Sequence, residues 1–331
     1  MNYKVYLKFG LPPLLLLLLG AFTWFYAQTG STGDGESKVE FIVPSGAGLI
    51  SVTNHLYREK LIKSRTAFRA MMRLKGKSDE LKRGLYNLDN GMSASEIIDA
   101  ITSGQTKTVK ITIPEGYNNR QIGDLLTEKG FFTSRKEFLT HAENPALLTR
   151  FQIPAKTTEG YLFPETYYIP VGYPKKAIIS MMVKQFFKKT AKIKNFPENP
   201  RARHQKVILA SIVEREAKLK EERALIAGVF ANRLSIGQPL ESCATIQYLF
   251  EKPRKRIYYQ DLEIESPYNT YKHKGMPPGP IASPGYEALN AAVNPEATEY
   301  KYFVVRGDGS HVFSKTFREH NRAKNEYLTR R

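Results

Sequence analysis

Three stretches of this chain repeat one apolar pattern, and the pattern restricts the fold more than any other feature. VEFIVPSGAGLISVTNHLYREKLIKS, beginning at Val39, matches VKITIPEGYNNRQIGDLLTEKGFFTS, beginning at Val109, at a constant offset. Val39, Val43, Pro44, Gly46, Leu56 and Ser64 fall on Val109, Ile113, Pro114, Gly116, Leu126 and Ser134, and a third, weaker copy centres on Gly91. Alternating apolar residues precede each glycine: Phe41 and Val43, Tyr86 and Leu88, Ile111 and Ile113. A pair four apart comes after it: Val52 and Leu56, Ile97 and Ile101, Ile122 and Leu126. Alternation makes a half-buried strand, the glycine makes a turn, and a pair four apart lies on one face of a helix. One such unit cannot bury its own apolar face, so the copies are expected to share a core as a small sheet with helices on one side. No residue in the repeats argues for chemistry.

The second constraint is VILASIVEREA at Val207–Ala217, a helix apolar almost all round and therefore buried. Glu214 stands one turn after Ala210 and two after Val207, so its carboxylate projects from an apolar stripe, where desolvation keeps a carboxyl protonated. A protonated acid in an apolar wall is what glycosidic cleavage uses as general acid. The competing reading pairs Glu214 with an arginine such as Arg215 or Arg223. Glu216 lies roughly 200° round the helix and faces elsewhere.

The residues downstream of this helix supply cleft chemistry: Asn232, Arg233, Gln247, Tyr248, Tyr268, Asn269, Thr270, Tyr271, then Pro277 and Pro278 in a rigid MPPGPIASPG loop. Sugar faces stack on rings, and hydroxyls take amide hydrogen bonds. Upstream, EGYLFPETYYIP at 159–170 carries Tyr161, Glu165 and Tyr167 and is a candidate cleft wall, with an aromatic plug at a domain boundary as the alternative. In a predicted hairpin, Tyr302–Val305 and His311–Phe313, His311 reads first as a strand residue without chemistry, and as a substrate contact where the hairpin stands beside a cleft.

At the amino terminus, Lys4 and Lys8 precede an uncharged run from Phe9 to Ala27, close to the ~20 residues that span a bilayer, ending in Trp24, Phe25 and Tyr26. The expectation is a single transmembrane helix with its short amino end in the cytoplasm and the rest of the chain outside it. The rival reading is a cleaved signal peptide. A net charge of +18 points to acidic surroundings. No RNA-binding sheet signature, zinc-ligand spacing or phosphate loop accompanies it, so nucleic acid is not an expected partner and no cofactor or metal is expected. A single cysteine, Cys243, excludes an intrachain disulfide.

EGYLFPETY, LASIVEREA, the NRL at 232–234, ATIQY, the YNTY loop, GMPPGPIASPG and the closing HVFS resemble, in the same order, the endolytic murein transglycosylases. The resemblance runs from the predicted anchor to the end of the chain. It implies a membrane-anchored enzyme that cuts peptidoglycan glycan strands, with peptidoglycan synthases as further candidate partners. It also implies an essential glutamate on Glu214 and a lysin-motif-like module before the catalytic domain. Many members have Asp-Pro where this chain has Cys243-Ala244, so no catalytic role is carried to that position.

The expected architecture is α+β. It comprises a cytoplasmic tail (1–8), a transmembrane helix (9–27), a linker (28–38) and a lysin-motif-like strand-turn-helix module (39–105). A further copy with connecting helices (106–155) precedes a mixed, mainly helical catalytic domain (156–331) closed by the β-hairpin. The implied chemistry needs one carboxylate, because the C6 hydroxyl of the N-acetylmuramyl residue attacks its own C1. Glu214 would protonate the leaving oxygen and then take the C6 proton. Two alternatives stand beside it: a hydrolytic muramidase using Glu165, Glu241 or Glu265 as second carboxylate, and a wall-binding scaffold that does not cut.

Overall fold

The computed structural model describes residues 3–44, 46–104 and 107–328, with side chains from residue 15 to residue 327. Cα packing divides the chain into two units. The first comprises residues 1–110 and 168–174, the second 111–167 and 175–331.

The first unit runs α1 (Tyr3–Thr29), β1 (Lys38–Val43), α2 (Leu49–Arg58), α3 (Arg65–Leu74), β2 (Gly84–Asp89) and α4 (Ala94–Ser103). Strands β1 and β2 pair antiparallel with Phe41 opposite Tyr86 and Val39 opposite Leu88. Phe41, Val43, Val52, Leu56, Tyr86, Leu88, Ile97 and Ile101, the patterned residues of two of the repeats, enter one core together with Phe68 and Met72 of α3. Helix α4 is delimited by local chemistry. The Ser93 hydroxyl and the Glu96 carboxylate satisfy each other's backbone N–H groups at the start, and Gly104 at φ 79° ends it.

Among the described residues no helix is long and apolar enough to cross a membrane, and this corrects the transmembrane helix expected over 9–27. Helix α1 covers that run, but the side chains of residues 9–14, and Lys4 and Lys8 before them, lie outside the described residues.

The second unit begins within β3 (Thr108–Thr112), the strand of the remaining repeat, followed by α5 (Asn119–Glu128), α6 (Arg135–Ala142), α7 (Pro145–Arg150) and β4 (Thr166–Pro170). Strand β3 pairs with β4 rather than with the other repeats, and the unit boundary falls inside both strands. Ile111, Ile113, Ile122 and Leu126 are as buried as their counterparts. Then come α8 (Lys175–Thr190), α9 (Pro200–Glu216), α10 (Arg223–Ser235), α11 (Cys243–Leu249), α12 (Tyr286–Val293), the antiparallel hairpin β5 (Tyr302–Val305) and β6 (His311–Ser314), and α13 (Phe317–Leu328).

Helix α9 is the axis of this unit. Asn199 caps its start with Pro200 in the first turn, and Val207, Ala210, Ser211, Ile212 and Val213 have no exposed surface. Alanines 288, 291 and 292 on α12 are small enough to let that helix pack closely against it. The Pro/Gly-rich loop ahead of α12 is tied to α9 through Ile281 N, which donates to Ser211 Oγ at 3.0 Å. It is tied to the repeat turn by Gly116 N to Ser283 O at 2.9 Å and Ser283 N to Tyr117 O at 2.7 Å.

Candidate active site

Two carboxylates leave the last turn of α9 in different directions. Glu214 turns inward, its side chain 5% exposed. Arg223 Nη2 donates to Oε1 at 2.7 Å and Gly285 N donates to Oε2 at 2.9 Å. Arg223 also approaches Glu115 Oε2 at 3.4 Å. Burial pushes the Glu214 carboxyl upward, while the Gly285 amide and then the Arg223 charge pull against it. Both oxygens are thus occupied by donors of the protein itself.

This arrangement depends on the repeat turn. Gly116 at φ 79° lies where a Cβ would come within 3.2 Å of the Arg215 guanidinium, and a Cβ at Gly285 would collide with the Glu115 carboxylate. Glu115 of the repeat turn thus stands beside the Glu214–Arg223 pair.

Glu216 faces the other way. Its Oε1 accepts from Ser242 Oγ and, at 3.3 Å, from Ala244 N, the cap residue and first turn of α11. No described residue donates to Oε2. Ser242 is itself set by its N–H donating to Thr270 Oγ1 at 3.0 Å, so the loop carrying Thr270 fixes the group that fixes Glu216. The carboxylate lines a cavity of about 490 Å³. Arg233, Glu241, Cys243, Tyr271 and His311 line it too, with Tyr302 and Phe303 of β5 and His320 and Lys324 of α13 completing the wall. Arg233 donates to Glu241 and, at 2.9 Å, to Leu240 O, and its guanidinium lies 5.3 Å from the Tyr302 ring centre. Cys243 Sγ is 3.0 Å from Tyr271 Oη, and burial pushes the thiol up.

Of the residues expected to bind substrate, Arg233, Tyr271 and His311 meet at this cavity. The rest do not line it. Tyr161 and Tyr167 are buried: Tyr161 Oη lies 2.9 Å from His204 Nδ1, and Tyr167 Oη donates to Phe163 O at 2.6 Å. The aromatic stretch is thus largely a plug. Glu165 pairs with Lys189 at 2.9 Å and Gln185. Asn232 Nδ2 donates to Thr298 O and Tyr300 O, and Asn269 Nδ2 to Leu262 O and Ile264 O, so both amides hold loops in shape. Gln247 brackets Arg254 through its backbone N–H and C=O. Pro277 is buried and Pro278 exposed. Glu115, Tyr302, His320 and Lys324 went unnoticed in the sequence, since only tertiary packing brings them to these positions.

Tyr248 and Tyr268 belong to a second polar cluster, their ring centres 5.1 Å apart. At its centre Glu159, missed in the sequence, accepts from Asn119 N at 3.1 Å and from Tyr248 Oη at 3.3 Å. Burial pushes its carboxyl up to about 7 despite those donors and the nearby Arg120. The folded protein then keeps this proton to about pH 7, whereas the unfolded chain releases it near the ordinary 4.5. Between those values the native state binds more protons, so stability falls as pH rises through the window and levels off above it. Glu159→Gln is expected to remove that slope. Denaturant titrations at pH 5 and pH 8 check it, and equal pH dependence of variant and parent counts against it.

The site is thus a carboxylate fixed between two helix ends on the wall of a cavity lined with aromatic rings. The chain belongs to the YceG-like family, whose model matches residues 41–326. It is 36% identical over 317 residues to an endolytic murein transglycosylase of Bacillus subtilis (strain 168), covering 89% of this chain and 86% of that one. It is 31% identical over 336 residues to one of Streptococcus pneumoniae serotype 2 (strain D39), spanning 89% of this chain but only 60% of the relative. The 2.6 Å crystal structure of a yceG-like protein from Listeria monocytogenes superposes with a TM-score of 0.60 at 30% identity, over 88% of this chain and all of the other.

Proposed function

We propose that this protein is a lytic transglycosylase that cuts peptidoglycan strands at the β-1,4 bond between N-acetylmuramyl and N-acetylglucosaminyl residues, leaving 1,6-anhydro ends. Family membership and the names of the relatives support the enzyme class. The observation that carries the chemistry is the Glu216 carboxylate on the cavity wall, anchored through one oxygen while no described residue donates to the other. Glu216, rather than Glu214, is our candidate general acid, because Glu214 lies outside the cavity lining with both oxygens occupied.

In this reading Glu216 gives its proton to the departing glycosidic oxygen as the C1–O4 bond breaks. The C6 hydroxyl of the same sugar closes on C1, and its tethering supplies a high effective molarity without a positioned water. Arg233, Tyr271 and the rings of Tyr302 and Phe303 line the cavity with hydrogen-bonding and stacking surface suited to pyranoses. The unit holding the β1–β2 sheet is proposed to bind wall polymer. In this reading the catalytic unit works on the extracytoplasmic side, where it would trim or terminate nascent strands.

One observation favours a hydrolytic outcome: of Glu165, Glu241 and Glu265, Glu241 shares the cavity with Glu216, and two carboxylates can activate water. Analysis of new ends on purified strands decides. Anhydro ends are the expected product, reducing ends alone would mean a muramidase, and no new ends would mean a scaffold.

A further inference from the structure

We propose that His311, oriented by Glu222, is a second catalytic group of the transglycosylase reading above, and that it takes the proton from the attacking C6 hydroxyl. His311 opens strand β6 and lines the same cavity as Glu216. Its Nδ1 lies 2.6 Å from Glu222 Oε2, and its backbone N–H donates to Glu222 Oε1 at 2.9 Å. The ring stands edge-on to Phe303, 5.3 Å between centres. Glu222 comes from the turn that leads into α10, so the pair joins two elements otherwise separate in the chain.

A carboxylate only accepts, so the proton between the two side chains belongs to Nδ1. The neutral ring then carries its lone pair on Nε2, and no described residue donates to that atom. A histidine with one nitrogen locked on a carboxylate and the other unengaged is the arrangement that makes imidazole a directed base. The side chains are 4% and 16% exposed, so the orientation is held by packing as well as by the hydrogen bond.

The two groups divide the proton transfers between them. As O6 bonds to C1, the C1–O4 bond breaks and Glu216 delivers its proton to O4. His311 Nε2 accepts the hydrogen of the C6 hydroxyl. The product pair is an anhydromuramyl end and a free C4 hydroxyl, and the enzyme is left with Glu216 ionised and His311 protonated. Proton exchange with water after release restores the starting state, so no co-reactant is needed. Glu216 need not recover its proton from the substrate within the same step.

The experiment measures kcat, KM and the type of new end for wild type, His311→Ala, His311→Gln, Glu222→Gln and Glu222→Asp, each checked for an unchanged unfolding transition. The expected result is a fall of about 100-fold in kcat for both His311 variants at nearly constant KM. Added imidazole restores part of the His311→Ala loss, and Glu222→Asp retains more activity than Glu222→Gln. Residual cleavage shifts from anhydro toward reducing ends, because attack by the C6 hydroxyl is the step impaired. Folded His311 variants within threefold of wild type overturn the inference. So does a loss that imidazole does not touch while the ratio of ends stays constant. A wild type that makes no anhydro ends overturns instead the reading on which the inference rests.

Discussion

Glu216→Gln is expected to lower strand cleavage by about 10²–10⁴-fold while leaving the fold intact. The amide retains an oxygen that can accept from Ser242 Oγ and Ala244 N, so the link between the end of α9 and the start of α11 survives. What it lacks is a proton to give. Glu214→Gln is the informative partner. It leaves the buried Arg223 guanidinium facing a neutral amide, so its main effect should be a lowered unfolding transition, with activity per folded molecule much closer to wild type. A folded Glu214→Gln enzyme with no activity, beside an active Glu216→Gln, would reverse the assignment of the general acid.

Arg223→Met should produce the largest loss of stability. Removing one member of a buried ion pair strands the other charge, which costs about 3–5 kcal/mol. Glu214 would then be stranded in its buried site with only the Gly285 amide, and the nearby Glu115 would add repulsion that Arg223 now offsets. For a unit of this size the transition should fall by roughly 10 °C. Pairing it with Glu214→Leu should recover much of the deficit, since an apolar pair of similar volume needs no compensation. A double variant as unstable as the single, or a single that melts with wild type, would mean the ion pair contributes little to holding the end of α9.

These two residues also mark what was legible in the chain. An apolar stripe at helical spacing reports which face of α9 meets the core. Glu214 lies along that stripe, so it enters the core and meets Arg223, a pairing that was among the sequence-level alternatives. The cleft is on the opposite side, where Glu216 points, and only the arrival of α11, the hairpin and α13 makes it a cleft. The strand-turn-helix pattern was readable because its spacing is local: it sets which side of each element Phe41, Ile97 and Leu126 take, and that side is the buried one. Which copies pair was not, because β1 with β2 and β3 with β4 is a choice among similar apolar edges. Tyr161 and Asn232 illustrate a further limit. Rings and amides suit sugar binding, but they equally serve to fill a core and staple a loop, and residue type alone does not separate the uses.

The two crossings of the chain between units, one in β3 and one in β4, bear on how the protein can be dissected. No single cut frees the second unit. A fragment beginning at Ile111 still carries Tyr168–Pro174, which belongs to the first, and deprives that segment of the backbone bond from Val171 N to Lys107 O and of the Arg83 guanidinium 4.3 Å from the Tyr173 ring centre. Such a fragment has an orphaned excursion with Tyr168 already exposed in the intact protein, and its solubility and melting would report that scar rather than the autonomy of the catalytic unit. Grafting a short Gly/Ser turn between Tyr167 and Lys175, together with the new start at Ile111, separates the units along their actual seam.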